Sequence, residues 1–267
     1  MIDVHNHVLI SVDDGPQTRE EAVALLKQAS GSGITDIIAT PHHKSPQHTT
    51  PSGTVMEKLQ ELHQIIEEEE VPIRVHPGQE IRINGEMIEE LESGYDLTMN
   101  NTQYVLVELP FNDMPHYTER LFFDLQMKGY IPLIAHPERC KPIIRDPQKL
   151  YDLVEKGAIS QVTATCVTGD LGENLKQTSL KMIEHNLAHI VASDAHSVET
   201  RPFALKEAYE VITEELGEAY TERLKKNAEK LLNDESLALK MPQPMESHYT
   251  DDRRKRKKKK KKFFGMF

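Results

Sequence analysis

The sequence predicts an α/β fold of the barrel type, and three observations carry that prediction. Seven short β-branched runs recur along the chain, longer amphipathic stretches separate them, and a length of 267 residues suits one α/β barrel around a single core. The runs are 2–5, 34–40, 73–76, 104–109, 131–136, 159–163 and 189–193, each bounded by turn-forming or charged residues. Between them, the spacing of apolar residues predicts helices over 19–30, 54–69, 117–127, 147–155 and 174–184. The first has Thr18 at the N-cap and Glu21 three residues on, the reciprocal pattern of a capping box. Three further helical segments, 202–215, 219–226 and 228–233, follow the last strand. From about residue 239, Pro242, Pro244 and Ser247 mark a linker into a tail expected to be disordered.

Charge divides the chain in the same place. Arg253 to Lys262 are ten consecutive cations, so residues 1–252 hold 22 Lys and Arg against 43 Asp and Glu, although the whole chain has a net charge of -11. An acidic body repels nucleic-acid phosphates, which argues against a nucleic-acid partner. The mean hydropathy of -0.54 and the lack of a long apolar run predict neither a membrane span nor a signal peptide, with Asp3, His5 and His7 falling where an apolar signal core would lie. Two cysteines, Cys140 and Cys166, give no disulfide framework and fit a reducing, cytoplasmic setting.

The histidines and acids are placed more tellingly than they are counted. His5 and His7 lie at i and i+2 at the end of the first predicted strand, and Asp194 and His196 repeat that spacing at the end of the last. A period of two puts both members of each pair on one face. His42 follows the second strand, Glu80 the third, Glu108 ends the fourth, His136 ends the fifth, and Asp14 lies in the first loop. In a β/α barrel the carboxyl ends of the strands converge on one mouth, so these nine side chains are expected at a single rim. Any one strand-end histidine has a bland reading as a helix cap or surface donor. Glu108 is harder to dismiss, because a carboxylate after Val105-Leu106-Val107 is costly to bury unless paired with a cation. Imidazole and carboxylate ligands without thiolate suit manganese, zinc or iron, and a cluster of such ions can activate water and assist phosphoryl displacement. The other histidines are expected to be surface or structural, although His43, beside His42, could reach the rim.

With those residues in view, the chain resembles the polymerase-and-histidinol-phosphatase (PHP) superfamily. The motifs are His5-Asn6-His7, Asp13-Asp14-Gly15-Pro16, Thr40-Pro41-His42, Gly78-Gln79-Glu80, Ala135-His136-Pro137-Glu138-Arg139 and Ser193-Asp194-Ala195-His196. Within it, residues 1 to about 235 resemble the manganese-dependent protein-tyrosine phosphatases that partner bacterial tyrosine kinases in capsule and exopolysaccharide operons. The resemblance implies a distorted seven-stranded barrel over residues 1–238, followed by a linker and a polybasic, Phe-ended tail over 239–267. It also implies three divalent ions, Mn2+ with Fe or Zn as alternatives: one with His5, His7, Glu80 and Asp194, one with Asp14, His42 and His196, and one with Glu108 and His136 sharing Glu80. Arg139 and Arg201 match the arginines that hold phosphate in this subgroup, and a guanidinium just past a strand end can fork onto two phosphate oxygens.

Other readings stay open on the sequence. Cys140 and Arg145 have four intervening residues, the wrong count for the C-x5-R loop of cysteine phosphatases, and no Walker A sequence occurs. A small-molecule phosphatase of the histidinol-phosphate type would share the metal rim, and a non-catalytic kinase-binding regulator would not need it. The tail is either a solvated end or a weak anchor on anionic lipid, which would place the chain at the inner face of the membrane.

Overall fold

The structure is a computed structural model and describes residues 1–247. Nine strands occur among the described residues, two more than expected, because β3 and β5 lie beyond the expected runs 34–40 and 73–76: β1 (Ile2–Asn6), β2 (Asp36–Ala39), β3 (His42–His43), β4 (Arg74–Pro77), β5 (Glu80–Arg82), β6 (Tyr104–Glu108), β7 (Ile131–Ala135), β8 (Ile159–Thr163) and β9 (Ile190–Ala192). All pair in parallel, in a three-stranded sheet of order β1-β2-β4 and a six-stranded sheet of order β3-β5-β6-β7-β8-β9. The expected α/β class is therefore present, with two sheets in place of one uninterrupted set of seven strands.

The chain breaks between β2 and β3 and between β4 and β5 for local reasons. Pro41 has no amide to donate, and its carbonyl accepts from the Glu80 N–H at 3.0 Å. Gly78 lies so close to β2 that an added Cβ would stand 2.8 Å from Cγ2 of Ile38. Past these breaks the chain changes neighbours, and His42 comes into register beside Glu80, as Arg82 does beside Glu108. At the other end of the six-stranded sheet, the segment after β9 returns to β1: the Asp194 N–H donates to the His5 carbonyl and the His7 N–H to the Ala195 carbonyl, each at 2.8 Å. The carboxyl ends of the strands thus face one way.

Ten α-helices occur among the described residues: α1 (Arg19–Gly31), α2 (Ser52–Glu68), α3 (Met87–Ser93), α4 (Thr118–Met127), α5 (Lys141–Arg145), α6 (Gln148–Glu155), α7 (Ala164–Thr168), α8 (Glu173–Glu184), α9 (Leu205–Leu216) and α10 (Glu218–Leu232). The capping box forms as expected, with Thr18 Oγ1 accepting from the Glu21 N–H and Glu21 Oε2 accepting from the Thr18 N–H, both at 3.3 Å. One apolar cluster joins sheet faces to helices, through Val107, Ile134 and Val191 against Leu25, Leu62 and Leu205 among others. A smaller one gathers Val4, Ile38, Leu106, Leu133 and Ile190 and is met by Met99 and by Leu231 of α10.

Three sequence expectations are corrected here. Helices α3, α5 and α7 went unpredicted because they are too short to show a 3.6-residue period. The segments 219–226 and 228–233 are one helix, since Asn227 does not break it but is buried and donates to the His189 carbonyl at 2.9 Å. The start of the expected linker lies on the body: the Met241 carbonyl accepts from Asn186 Nδ2 at 3.0 Å, the Gln243 N–H donates to the His185 carbonyl at 2.8 Å, and Ser247 Oγ donates to the Ile144 carbonyl at 2.7 Å. The basic run and the expected disorder of the tail lie outside the described residues.

Candidate metal centre and substrate pocket

The nine predicted side chains all reach one site at the carboxyl ends of the strands. Glu80 lies at its middle. Its Oε1 is 2.8 Å from His136 Nε2 and 3.5 Å from His5 Nε2, and its Oε2 is 2.6 Å from His42 Nδ1 and 3.6 Å from His7 Nε2. Asp194 Oδ1 stands 3.4 Å from His7 Nε2 and 3.6 Å from His5 Nε2, while the two Nε2 atoms are 3.4 Å apart. Asp14 Oδ1 is 3.2 Å from His196 Nε2 and 3.5 Å from His42 Nε2. Three groups have ligand atoms close enough to share an ion: His7, Asp14, His42 and His196; His5, His7 and Glu80; and His42, Glu80 and Glu108. His7 and His42 thus each fall in two groups, a sharing the sequence did not suggest.

Local backbone makes these approaches possible. Gly15 presses on the end of β1 so closely that a Cβ there would stand 2.3 Å from the His7 carbonyl oxygen, which holds Asp14 over the site. His136 and Asp194 both take positive φ, 32° and 55°, which non-glycine residues rarely adopt. Asp194 and His196 lie just past β9, so the alternation expected of a strand does not place them. Their position comes from the hydrogen bonds between this segment and β1.

Several observations show that the donor set fits divalent cations. His42 Nδ1, Glu80 Oε2, Glu108 Oε2, Asp194 Oδ1 and His196 Nε2 are buried and have no hydrogen-bond partner of adequate geometry. Leaving such groups unsatisfied is costly, and a cation removes the cost. Donor atoms each about 2.0–2.2 Å from one ion stand about 3 to 3.5 Å apart, which matches the spacings around His5, His7 and Asp194. Burial, with the negative charge of Glu80 adding to it, pushes the Glu108 carboxyl up to about 7, a shift that a cation beside it would oppose. Burial also holds His136 and His196 down at about 4, and at neutral pH both are uncharged imidazoles with a lone pair to offer. For Asp194 burial opposes ionisation, but His7, His5 and Arg201 outweigh it and keep the carboxyl well below its usual range.

Arg139 and Arg201 arrive at the same site from different elements. Arg139 ends the short 3-10 turn Pro137–Arg139 after β7, and Arg201 sits in the loop after β9. Both donate to Asp194 Oδ2, at 2.5 Å through Nη1 and 2.7 Å through Nη2, and Arg201 Nη1 also reaches Asp14 Oδ2 at 3.3 Å. Together with Asp14, His42, Glu108 and His136 they line a cavity of about 390 Å³.

Sequence reasoning missed several residues here. Asp13 Oδ2 lies 2.6 Å from His7 Nδ1 and also accepts from the His42 N–H at 3.0 Å. Gln161 on β8 holds His5 Nδ1 at 3.0 Å. Arg82 pairs with Glu108 at 3.2 Å, and Phe111 and His48 line the cavity. Asp13 was adjacent to a predicted ligand, which was a usable signal; the others depend on contacts between distant stretches of chain. His43 turns away from the rim and is buried against Asp96, 2.9 Å from its Oδ1. Cys140 and Cys166 are buried free thiols. Among the described residues no helix is long and apolar enough to cross a membrane.

The site can be set beside known proteins. The chain is 44% identical over 246 residues to the tyrosine-protein phosphatase YwqE of Bacillus subtilis, covering 92% of this chain and 97% of that one. It is 43% identical over 245 residues to the putative tyrosine-protein phosphatase CapC of Staphylococcus aureus, covering 91% and 95%. A solved chain from the crystal structures of YwqE from Bacillus subtilis and CpsB from Streptococcus pneumoniae, described as unique metal-dependent tyrosine phosphatases, is similar with a TM-score of 0.90 at 44% identity, over 92% of this chain and 100% of that chain. A family model described as capsular polysaccharide synthesis, CpsB/CapC, matches residues 1–233. With a match over nearly the whole described body and relatives of this identity, the chain belongs to the CpsB/CapC family of capsular polysaccharide synthesis.

Proposed function

We propose that this chain is a metal-dependent phosphatase that hydrolyses phosphotyrosine in protein, with a bacterial tyrosine kinase of capsule or exopolysaccharide synthesis as its substrate and partner. The observation that carries this reading is the meeting of nine metal-competent side chains at one site, four of which, with Arg139 and Arg201, line the cavity beside it, in a chain 44% identical to a tyrosine-protein phosphatase. The two sheets are read as one distorted seven-stranded barrel, in which β2 with β3 and β4 with β5 are single strands interrupted at 40–41 and 78–79, and the contact of β1 with the segment after β9 supports closure.

His5, His7, Glu80 and Asp194 are assigned to one divalent ion, Asp14, His42 and His196 to a second, and Glu108 and His136, with Glu80 shared, to a third. Manganese is the favoured ion, because the donors are imidazole and carboxylate without thiolate. Ions bound there would supply a nucleophile from water near neutral pH and offset charge on the phosphoryl oxygens.

The chain's own residues do the rest. Arg139 and Arg201 bind the non-bridging phosphoryl oxygens in forked hydrogen bonds, and Asp194 Oδ2 holds both guanidiniums in place beforehand. Asp13 and Gln161 fix the rings of His7 and His5 from behind. A tyrosine phenol leaves with a pKa of about 10 and so needs less protonation than a serine alcohol. The setting is taken to be cytoplasmic, with the basic run Arg253 to Lys262 offering contact to anionic lipid.

Hydrolysis rates for a phosphotyrosyl peptide, a phosphoseryl peptide and histidinol phosphate, measured ion by ion, test the assignment. The phosphotyrosyl peptide is expected to be the best substrate with manganese; histidinol phosphate as the best one would overturn the protein-phosphatase reading, and inertness toward all three would overturn phosphatase activity.

A further inference from the structure

Phe111 puts a phenyl ring on a cavity wall lined mainly by charged and polar groups. It follows β6 three residues after Glu108, its backbone carbonyl accepts from the Lys141 N–H at 2.8 Å, and the residue remains 36% exposed. The Arg139 guanidinium carbon lies 4.8 Å from its ring centroid, and the His136 ring lies 5.5 Å away. One aromatic side chain is thus tied to an arginine assigned to phosphate and to a histidine assigned to metal, while part of its ring stays open to the cavity.

We propose that Phe111 determines specificity for aryl over alkyl phosphate esters, by forming an aromatic contact with the phenol ring of the substrate. This rests on the phosphatase reading above. In a phosphotyrosine whose phosphoryl group is held at Arg139, the aromatic ring begins one ester oxygen from phosphorus. It therefore falls in the neighbourhood where aromatic centroids interact, about 4.5–7 Å apart. A phosphoserine or other alkyl ester presents only a methylene there. Pro46 and His48, from the loop after β3, line the same cavity and limit the space the ring can occupy. The contact supplies selectivity without touching the reacting atoms, and the cation–π contact with Arg139 places the wall and the phosphate clamp in fixed relation.

The test uses the full-length, metal-loaded protein and two non-hydrolysable probes, phenylphosphonate and methylphosphonate, with binding read by calorimetry. Phe111→Ala is expected to lose about three- to tenfold in affinity for phenylphosphonate while methylphosphonate changes by less than about twofold. Phe111→Tyr is expected to restore the difference, and kcat/KM for phosphotyrosyl over phosphoseryl peptide should follow the same order. Equal weakening of both probes would overturn the assignment, leaving Phe111 as a support for Arg139, and so would an unchanged ratio. A parent protein that hydrolyses no phosphate ester would refute the phosphatase reading itself, an outcome distinct from a working parent whose selectivity ignores Phe111.

Discussion

Nδ1 of His7 lies 2.6 Å from Oδ2 of Asp13, and both side chains are buried. The pair fixes the orientation of the ring, leaving Nε2 toward Glu80 and Asp194. Burial opposes ionisation of Asp13, but the facing imidazole outweighs it and brings the carboxyl down to about 2. Asp13→Ala deletes no proposed ligand, yet it frees the ring that two of the ligand groups share. Metal affinity is expected to fall about 10- to 100-fold. Titration of the metal-free variant with manganese checks this, and parent-like affinity would show that His7 holds its position without Asp13.

Arg139 and Arg201 converge on one oxygen of Asp194, whose other oxygen faces His5 and His7. Removing either guanidinium leaves the proposed ligands in place. Arg139→Ala and Arg201→Ala are therefore expected to keep their metal content by elemental analysis while turnover of a phosphotyrosyl peptide falls on the order of 10²- to 10³-fold. Parent rates in both variants would remove the arginines from phosphate binding.

Much of this site was legible in the sequence, for a physical reason. Imidazoles and carboxylates are rarely left at the ends of apolar strands, so His5, His42, Glu80, Glu108 and His136 marked a rim before any contact was known. The reason offered for Asp194 and His196 was wrong in detail: they lie beyond β9 and are placed by hydrogen bonds to β1, with Asp194 at positive φ. Gln161 was out of reach, because its partner His5 is 156 residues away and neither neighbourhood hints at the pairing. The short strands β3 and β5 were hidden too. Pro41 and Gly78 were visible, but the change of strand neighbours they produce depends on how two remote segments pack.

His189 gives a pH dependence away from the metal ligands. It is buried behind β8, its Nδ1 accepts from the Ser160 N–H at 3.2 Å, and burial, reinforced by the charge of Arg223, lowers it from 6.5 to about 4. The unfolded chain then binds more protons than the folded one between these values, so stability falls as pH drops from about 6.5 toward 4, by on the order of 3 kcal/mol from this group. In metal-free protein, urea unfolding of His189→Asn should lose less stability than the parent across that window. Identical pH slopes in the two proteins would contradict the assignment.

The basic tail lies outside the described residues, but its charge carries a prediction. Deleting 253–267 is expected to spare hydrolysis of a small aryl phosphate and to weaken co-sedimentation with vesicles rich in anionic lipid. Ten clustered cations contribute about 1 kcal/mol each near such a surface, screened as salt rises. Equal pelleting of the full-length and truncated proteins at low salt would leave the tail as a solvated end.

Phosphotyrosine hydrolysis is expected to depend on the buried cluster of imidazoles and carboxylates and on no thiol. Burial raises both Cys140 and Cys166 above the usual thiol range, which leaves neither poised as a nucleophile. The direct measurement is turnover of a phosphotyrosyl peptide after chelation, after return of manganese, and after thiol alkylation. Chelation is expected to abolish turnover, manganese to restore it, and alkylation under native conditions to leave it near the parent rate. Turnover that survives chelation and is lost on alkylating Cys140 or Cys166 would place the chemistry on a thiol and remove the metal cluster from it.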